Sequence, residues 1–437
     1  MTLDLLEATI PFVQYHMYPH RITLRDWSMK EGDIAGAQEP KFNDKSWKTI
    51  QTPFQWGGYD KMAWFRRAVT VPQEFSGKPI VLLVNLPESL LYLNGNAHSG
   101  VGPLHNEVLL STKARGNQRY AVAIQAYSGR TIAPSNFQSA HLAVIFPPAR
   151  SLYVAMKTLG ELAHLFGTSS SEGKEIREII RRTLVFLKYF KPEGEEYPNA
   201  ISRALNFLIN TLGTEFSTSI PGMAHVIGSS FLGTAASWTM QESERKTAET
   251  FSTAFQLMEE YPEFVFGLGQ ADLYRQVEER HSSLFKGVKQ RVSEGRWELL
   301  GGMWVEPDCS VPSGESLVRH ILYGKRYFKQ VFGTEADIAW MPGVFGFNGN
   351  LPQILHKSGY KYFLTTTLLM NDTNKFPHHT FWWQGIDRSK ILSFIPPLAF
   401  EHMNSAKDLK KSWDAFQQKE TEQDYLLTLG YGNGTPG

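Results

Sequence analysis

Two carboxylates follow one predicted strand closely enough to share a site. The apolar stretch Trp297–Trp304 has the character of a buried strand, and Glu306 and Asp308 come directly after it. In a β/α fold, side chains at the carboxyl ends of the strands line the functional end. We therefore expect Trp304, Glu306 and Asp308 to line a pocket there.

Histidines offer weaker candidates for chemistry. His225 lies within a predicted strand, and His320 and His356 fall in predicted helices, where packing, capping or solvation is the usual role. His378 and His379 are adjacent on an extended segment, so their side chains point to opposite faces and at most one can face a cavity. Structural packing is the expected role of both.

The composition excludes several classes of protein. The chain has 437 residues, with 44 basic and 43 acidic side chains, so no net charge draws it to nucleic acid or an anionic membrane. Its single cysteine, Cys309, has no visible catalytic base and permits no internal disulfide, which fits a reducing compartment. The N-terminal residues lack a signal-peptide pattern, and no run of 18 apolar residues occurs. We expect a cytoplasmic protein.

The elements that would position these residues fall into three parts. Short β-type runs and turns, among them Asn94-Gly95, extend from Phe42 to about Phe146 and predict an all-β sandwich. Apolar residues at helical spacing follow, beginning at Leu152 and continuing through Ile176. We predict a sandwich domain over residues 1–147, a helical connector over 148–220 and a β/α domain over 221–437.

Strands and helices alternate in the last part, which predicts an α/β fold with an approximately seven-stranded β/α barrel. The predicted strands are 224–228, 263–268, 297–304, 337–341, 361–366, 390–394 and 425–429. The predicted helices are 247–260, 271–294, 314–332 and 351–359.

Several sequence words in this domain resemble the cytosolic and vacuolar branch of the family 38 α-mannosidases. They are 251–264 (FSTAFQLMEEYPEF), 295–298 (GRWE), 301–308 (GGMWVEPD), 312–319 (PSGESLVR), 351–355 (LPQIL) and 374–383 (NKFPHHTFWW). Weaker similarity at 63–66 (AWFR) and 93–95 (LNG) extends the resemblance to the sandwich.

The resemblance implies a retaining glycoside hydrolase. In that chemistry zinc holds vicinal hydroxyls of the sugar, one aspartate attacks the anomeric carbon, and a second carboxyl protonates the leaving oxygen. Aligned on flanking residues, Phe231 and Gly233 stand at the family's zinc-binding His and Asp, and Gly343 stands at the aspartate that is both ligand and nucleophile. Asn433 stands at the acid/base position, where an amide cannot exchange the proton. A further zinc-binding His and the C-terminal domains follow beyond Gly437 in the family.

These replacements predict a pseudoenzyme that binds no zinc cofactor. Three alternatives stay open: a non-catalytic protein that binds an α-mannoside or a protein partner through an exposed barrel edge, an active enzyme with a rebuilt site, and a decayed, truncated relative. Glu306 and Asp308 are poor substitutes as acid and nucleophile, because their spacing does not place them across a glycosidic bond. Trp304, Trp382 and Trp383 can stack on a sugar, although tryptophans more often belong to a core.

Overall fold

The computed structural model describes residues 2–214, 222–234, 238–374, 376–398, 405–422 and 424–430. The strands of the first part are β1 (His20–Thr23), β2 (Asp26–Glu31), β3 (Lys48–Gln51), β4 (Phe54–Trp56), β5 (Met62–Thr70), β6 (Ile80–Asn85), β7 (Ser89–Leu93), β8 (Asn96–Val101), β9 (Glu107–Ser111), β10 (Arg119–Tyr127), β11 (Ser135–Phe137) and β12 (Ser139–Val144).

These strands form the predicted sandwich. One antiparallel sheet has the order β1-β12-β6-β9 and the other β3-β2-β5-β10-β7-β8, while β4 pairs with β11. Buried apolar side chains fill the space between the sheets, and the rings of Trp27 and Phe65 both pack against Phe137. Asn94 and Gly95 both have positive φ and join β7 to β8, so the predicted tight turn is confirmed. The sandwich begins earlier than its sequence pattern suggested, because β1 and β2 precede Phe42.

Four helices form a separate apolar core beside the sandwich. They are α1 (Thr2–Tyr15), α2 (Pro147–Phe166), α3 (Ser171–Lys188) and α4 (Tyr197–Thr214). The helical spacing predicted for the connector is found, and Leu152, Ile176 and Leu184 are buried where the helices meet. Residues 2–15, which the sequence pattern placed with the sandwich, instead pack Leu6 and Val13 into this helical core.

The remaining elements alternate between strand and helix. They are β13 (Met223–Ser229), α5 (Met240–Glu260), β14 (Phe266–Leu268), α6 (Ala271–Arg280), α7 (Ser282–Ser293), β15 (Trp297–Leu299), α8 (Gly314–Phe332), β16 (Ile338–Trp340), α9 (Leu351–Lys357), β17 (Tyr362–Leu364), β18 (Thr380–Gln384), β19 (Lys390–Phe394), α10 (Ala406–Ala415) and β20 (Asp424–Leu429). Each of the seven predicted strands has a counterpart, and β18 is an addition.

Within the described residues these strands pair as two four-stranded sheets. Their orders are β15-β14-β13-β20, all parallel, and β16-β17-β19-β18, in which only β18 is antiparallel. Both sheets contribute to one interior cluster, in which Leu300 of the first sheet meets Trp340 and Leu364 of the second. The Gly301 amide donates to the Ile338 carbonyl at 3.1 Å and so links the two sheets. The two sheets therefore share a common core.

Helix α5 packs the barrel against the sandwich and carries a group of buried charges. Arg245 lies between Glu242 and Glu249, with nitrogen-to-oxygen distances of 2.6 and 2.8 Å, and all three side chains are almost fully buried. The backbone amide of Gly100 in β8 donates to the Thr253 hydroxyl at 2.8 Å. Burying charged groups is unfavourable unless they are paired, so these contacts depend on one another.

Candidate functional site

Phe231 and Gly343 follow two different strands and meet in space. Phe231 comes two residues after β13, and Gly343 comes three residues after β16. A Cβ atom built on Gly343 would lie closer than 3.0 Å to three ring carbons of Phe231, a separation that real side chains do not show. The ring therefore covers the space that any side chain at residue 343 would need.

Gln270 connects the loops at this end of the barrel. It follows β14, is buried, and adopts a positive φ of 66°. Its side-chain amide donates to the Leu232 carbonyl at 2.8 Å, and its oxygen accepts from the Thr234 hydroxyl and the Glu306 amide, both at 3.3 Å. Gly233 lies between Leu232 and Thr234, which these hydrogen bonds tie to Gln270. Sequence reasoning missed Gln270, whose only signal is a polar side chain directly after a buried strand.

Glu306 presents a buried carboxyl group beside Gln270. A Cβ atom on Gly269 would lie 3.1 Å from Glu306 Oε1, so this oxygen rests against the backbone at the end of β14. The other oxygen, Oε2, is buried without a hydrogen-bond partner among the described residues. Burial disfavours the charged form and raises the pKa of Glu306 to about 8. The group is a neutral acid at pH 7.

Asp308 has the opposite environment although it lies two residues away. It is exposed and accepts from the Ser310 amide at 2.9 Å and the Ser310 hydroxyl at 2.5 Å. These hydrogen bonds lower the pKa of Asp308. Burial, together with the nearby carboxyl groups of Asp308 and Glu306 in their charged forms, raises the pKa of the Cys309 thiol to about 12, so this cysteine stays protonated.

The three tryptophans proposed as pocket residues occupy different environments. Trp304 is half-buried and packs edge-on against Tyr327 with ring centroids 6.1 Å apart. Trp383 packs against Phe363 at 5.2 Å in the core between α8 and the sheet. Trp382 points to the other face of β18 and is 64% exposed, so it is the one available to stack on a ligand.

The histidines separate as their alternation predicts. His379 is buried, with Nδ1 2.8 Å from the Ile395 carbonyl and Nε2 3.2 Å from the Ala415 carbonyl, while His378 is exposed. His225 is exposed on β13, with Nε2 3.7 Å from Asp424. Asn433 lies outside the described residues.

The side chains at this site do not fit a zinc ion. Phe231, Gly233 and Gly343 supply no ligand atoms, and the phenyl ring fills the space between the two strand ends. Across the part of the chain that the structure describes, no group of three or more His, Cys, Asp or Glu side chains is placed to hold a metal ion. What the site does offer is a neutral carboxyl and a carboxamide, which can donate and accept hydrogen bonds.

Comparison with known proteins identifies both large parts of the chain. Residues 221–437 match the Glycosyl hydrolases family 38 N-terminal domain, and residues 19–153 match the Alpha-mannosidase, jelly roll domain. The chain belongs to glycoside hydrolase family 38.

Several α-mannosidases align with most of this chain. It is 28% identical to Alpha-mannosidase G of Dictyostelium discoideum, with 98% of this chain and 41% of that protein covered. It is 29% identical to Alpha-mannosidase 2C1 of Homo sapiens, with 86% of this chain and 37% of that protein covered. It is 31% identical to Alpha-mannosidase of Saccharomyces cerevisiae, with 71% of this chain and 30% of that protein covered. The chain thus spans less than half the length of these relatives.

Among solved structures, an α-mannosidase from Enterococcus faecalis V583 is similar over 49% of this chain and 25% of its own, with a TM-score of 0.43 and 19% identity. Separately, none of the helices within the described ranges is long and apolar enough to cross a membrane.

Proposed function

We propose that this α-mannosidase-like chain binds an α-mannoside without a metal and does not hydrolyse it. The observation that carries the proposal is the Phe231 ring packed over Gly343. These two positions correspond to a zinc ligand and to the residue that is both ligand and nucleophile in the family. An aromatic ring against a bare backbone provides neither a ligand nor a nucleophile.

The groups that remain suit hydrogen bonding better than bond cleavage. Glu306 keeps its proton at neutral pH and has an unused buried oxygen, so it can donate to one sugar hydroxyl and accept from another. Asp308 is ionised, but its oxygen is engaged by Ser310. A retaining mechanism needs the two carboxyl groups on opposite sides of the scissile bond.

The domain division and the cellular setting belong to the same proposal. We place the sandwich at 1–147, the connector at 148–220 and the barrel at 221–437, with α1 packing on the connector. A cytoplasmic location and a protein partner at the barrel edge are consistent with the near-zero net charge and the single reduced cysteine.

The test combines zinc content, turnover and binding on the purified chain. We expect substoichiometric zinc, hydrolysis of an aryl α-mannoside near background, and heat of binding with methyl α-mannoside in calorimetry. Glu306→Gln should weaken that binding, whereas Glu315→Gln, an exposed change on α8, should not.

Each alternative has its own result. Stoichiometric zinc with turnover of roughly one per second, an ordinary enzyme rate, would overturn the loss of catalysis. Turnover that disappears in Glu306→Gln would support a rebuilt active site. No mannoside binding at millimolar concentration would favour a decayed relative.

A further inference from the structure

A cavity of about 550 Å³ lies between the end of α1 and the outer face of the sandwich sheet β1-β12-β6-β9. Its floor comes from β6 and β12, and its wall from Tyr15 and Tyr18. The volume lies in the range of small-molecule sites. It belongs to a different domain from the barrel site, so its role is independent of the proposed function.

Many polar side chains in this cavity have no protein partner. Among the described residues, the Nδ1 atom of His141 is buried without a hydrogen-bond partner, and no side-chain hydrogen bond is formed by half-buried Ser139 or by the solvent-exposed Gln14, Asn85 and Asn106. A concave surface with several unused donors and acceptors is suited to a ligand rich in hydroxyl groups.

Arg21 gives the cavity its charge. Its guanidinium lies 4.9 Å from the centre of the Tyr18 ring, and its Nε donates to the Tyr18 carbonyl at 3.3 Å. The two terminal nitrogens of this side chain form no ion pair within the described chain. The described residues that line the cavity include no carboxylate. Glu107 lies nearby, but it accepts a hydrogen bond from the Tyr18 hydroxyl and pairs with Arg150.

His141 does not add a second charge at neutral pH. Burial, and then the charge of Arg21, lower the pKa of His141. A fixed, planar cation beside neutral donors and acceptors recognises an anionic group attached to a polar body. The exposed ring of Tyr15 offers a face on which a sugar can rest.

We propose that this cavity binds an anionic sugar, with its phosphate or carboxylate at Arg21 and its hydroxyl groups at the carboxamides and Ser139. Sugar phosphates and uronic acids share this chemistry. In this proposal the anion accepts from the terminal nitrogens of Arg21, and Asn85 is one of the carboxamides that bind the hydroxyl groups.

Calorimetry on the full chain with glucose 6-phosphate, glucuronate, glucose and inorganic phosphate tests the proposal. We expect one or both anionic sugars to bind at least about tenfold more tightly than glucose and than phosphate, because each part of the ligand adds hydrogen bonds. The relative affinity of the phosphate ester and the carboxylate distinguishes the two sources of charge.

Variants separate the two halves of the site. Arg21→Met should weaken the anionic sugars by about tenfold or more, and Arg25→Met, an exposed change on the same segment, should leave them unchanged. Asn85→Ala should weaken glucose 6-phosphate but not inorganic phosphate. The proposal would be overturned if glucose, or inorganic phosphate alone, bound as tightly as glucose 6-phosphate. It would also be overturned if no anionic sugar bound up to 10 mM (roughly 3 kcal/mol of affinity), or if Arg21→Met left the binding unchanged.

Discussion

The contact between Phe231 and Gly343 makes a strong prediction about stability. Gly343→Ala places a methyl group where the phenyl ring now lies, and the ring must withdraw from under 3.0 Å to ordinary contact beyond 3.4 Å. Overpacking of this kind costs about 1–3 kcal/mol. Gly343→Asp should cost more, because it adds a carboxylate against an aromatic face.

The double variant isolates the contact. Phe231→Ala removes the ring, so adding Gly343→Ala to it should cost about 1–3 kcal/mol less than in the parent chain. Urea-induced unfolding followed by tryptophan fluorescence measures all four free energies of unfolding. The matched control is Gly213→Ala, at an exposed position of α4 with no atom within 4 Å of the new Cβ.

The control should behave in the opposite way. Gly213→Ala is expected to stabilise the chain by about 0.4–1 kcal/mol and to combine additively with Phe231→Ala. If Gly343→Ala were equally harmless, or additive with Phe231→Ala, the ring would not occupy the position assigned to it. Restoring a metal site would then not require the ring to be removed first.

Three further outcomes follow from the buried charges and the strand order. Folded Glu306 keeps its proton to about pH 8 whereas an unfolded glutamate loses it near 4.5, so stability falls as pH rises between these values. In the parent chain, this group should lower the free energy of unfolding by about 1.4 kcal/mol per pH unit between pH 5 and 8, as measured by urea unfolding. Glu306→Gln should abolish that contribution, and Glu315→Gln should leave it unchanged. Arg245→Met, which leaves two carboxylates buried without their cation, should cost about 3–5 kcal/mol in the same assay. Residues 40–150 alone lack β1 and β2, of which β2 lies between β3 and β5 in its sheet, and they should be disordered by circular dichroism, whereas residues 17–150 should give a protease-resistant β-domain.

The repeating elements were predictable because each has a local pattern. The strand at 390–394 and the helix at 314–332 were predicted with the bounds that the structure has. Other elements lack such a pattern. β18 is a run of aromatic residues without clean alternation, and α1 contains Pro11, which disfavours an interior helical position. Tertiary packing decides both.

The candidate site divides in the same way. Flanking sequence words assigned Phe231 and Gly343 to related roles, and the structure brings them into contact although 112 positions separate them in the chain. Gln270 and the unpartnered oxygen of Glu306 carried no such signal. Their importance depends on a backbone turn and on burial, which arise only when four strand ends come together.

If Phe231, Gly233 and Gly343 stand at the family's metal and nucleophile positions, as proposed, their place in the fold allows the barrel to persist. Phe231, Gly233 and Gly343 follow strand ends, and none belongs to the buried apolar clusters that hold the sheets together. Under the proposed assignment, a ring on a bare backbone stands where a buried carboxylate would otherwise need a metal to neutralise its charge. The proposed exchange would therefore favour folding of a metal-free barrel and at the same time remove the nucleophile. Family membership therefore accounts for the fold, and under the proposal hydrolysis is decided separately by the side chains at these few positions.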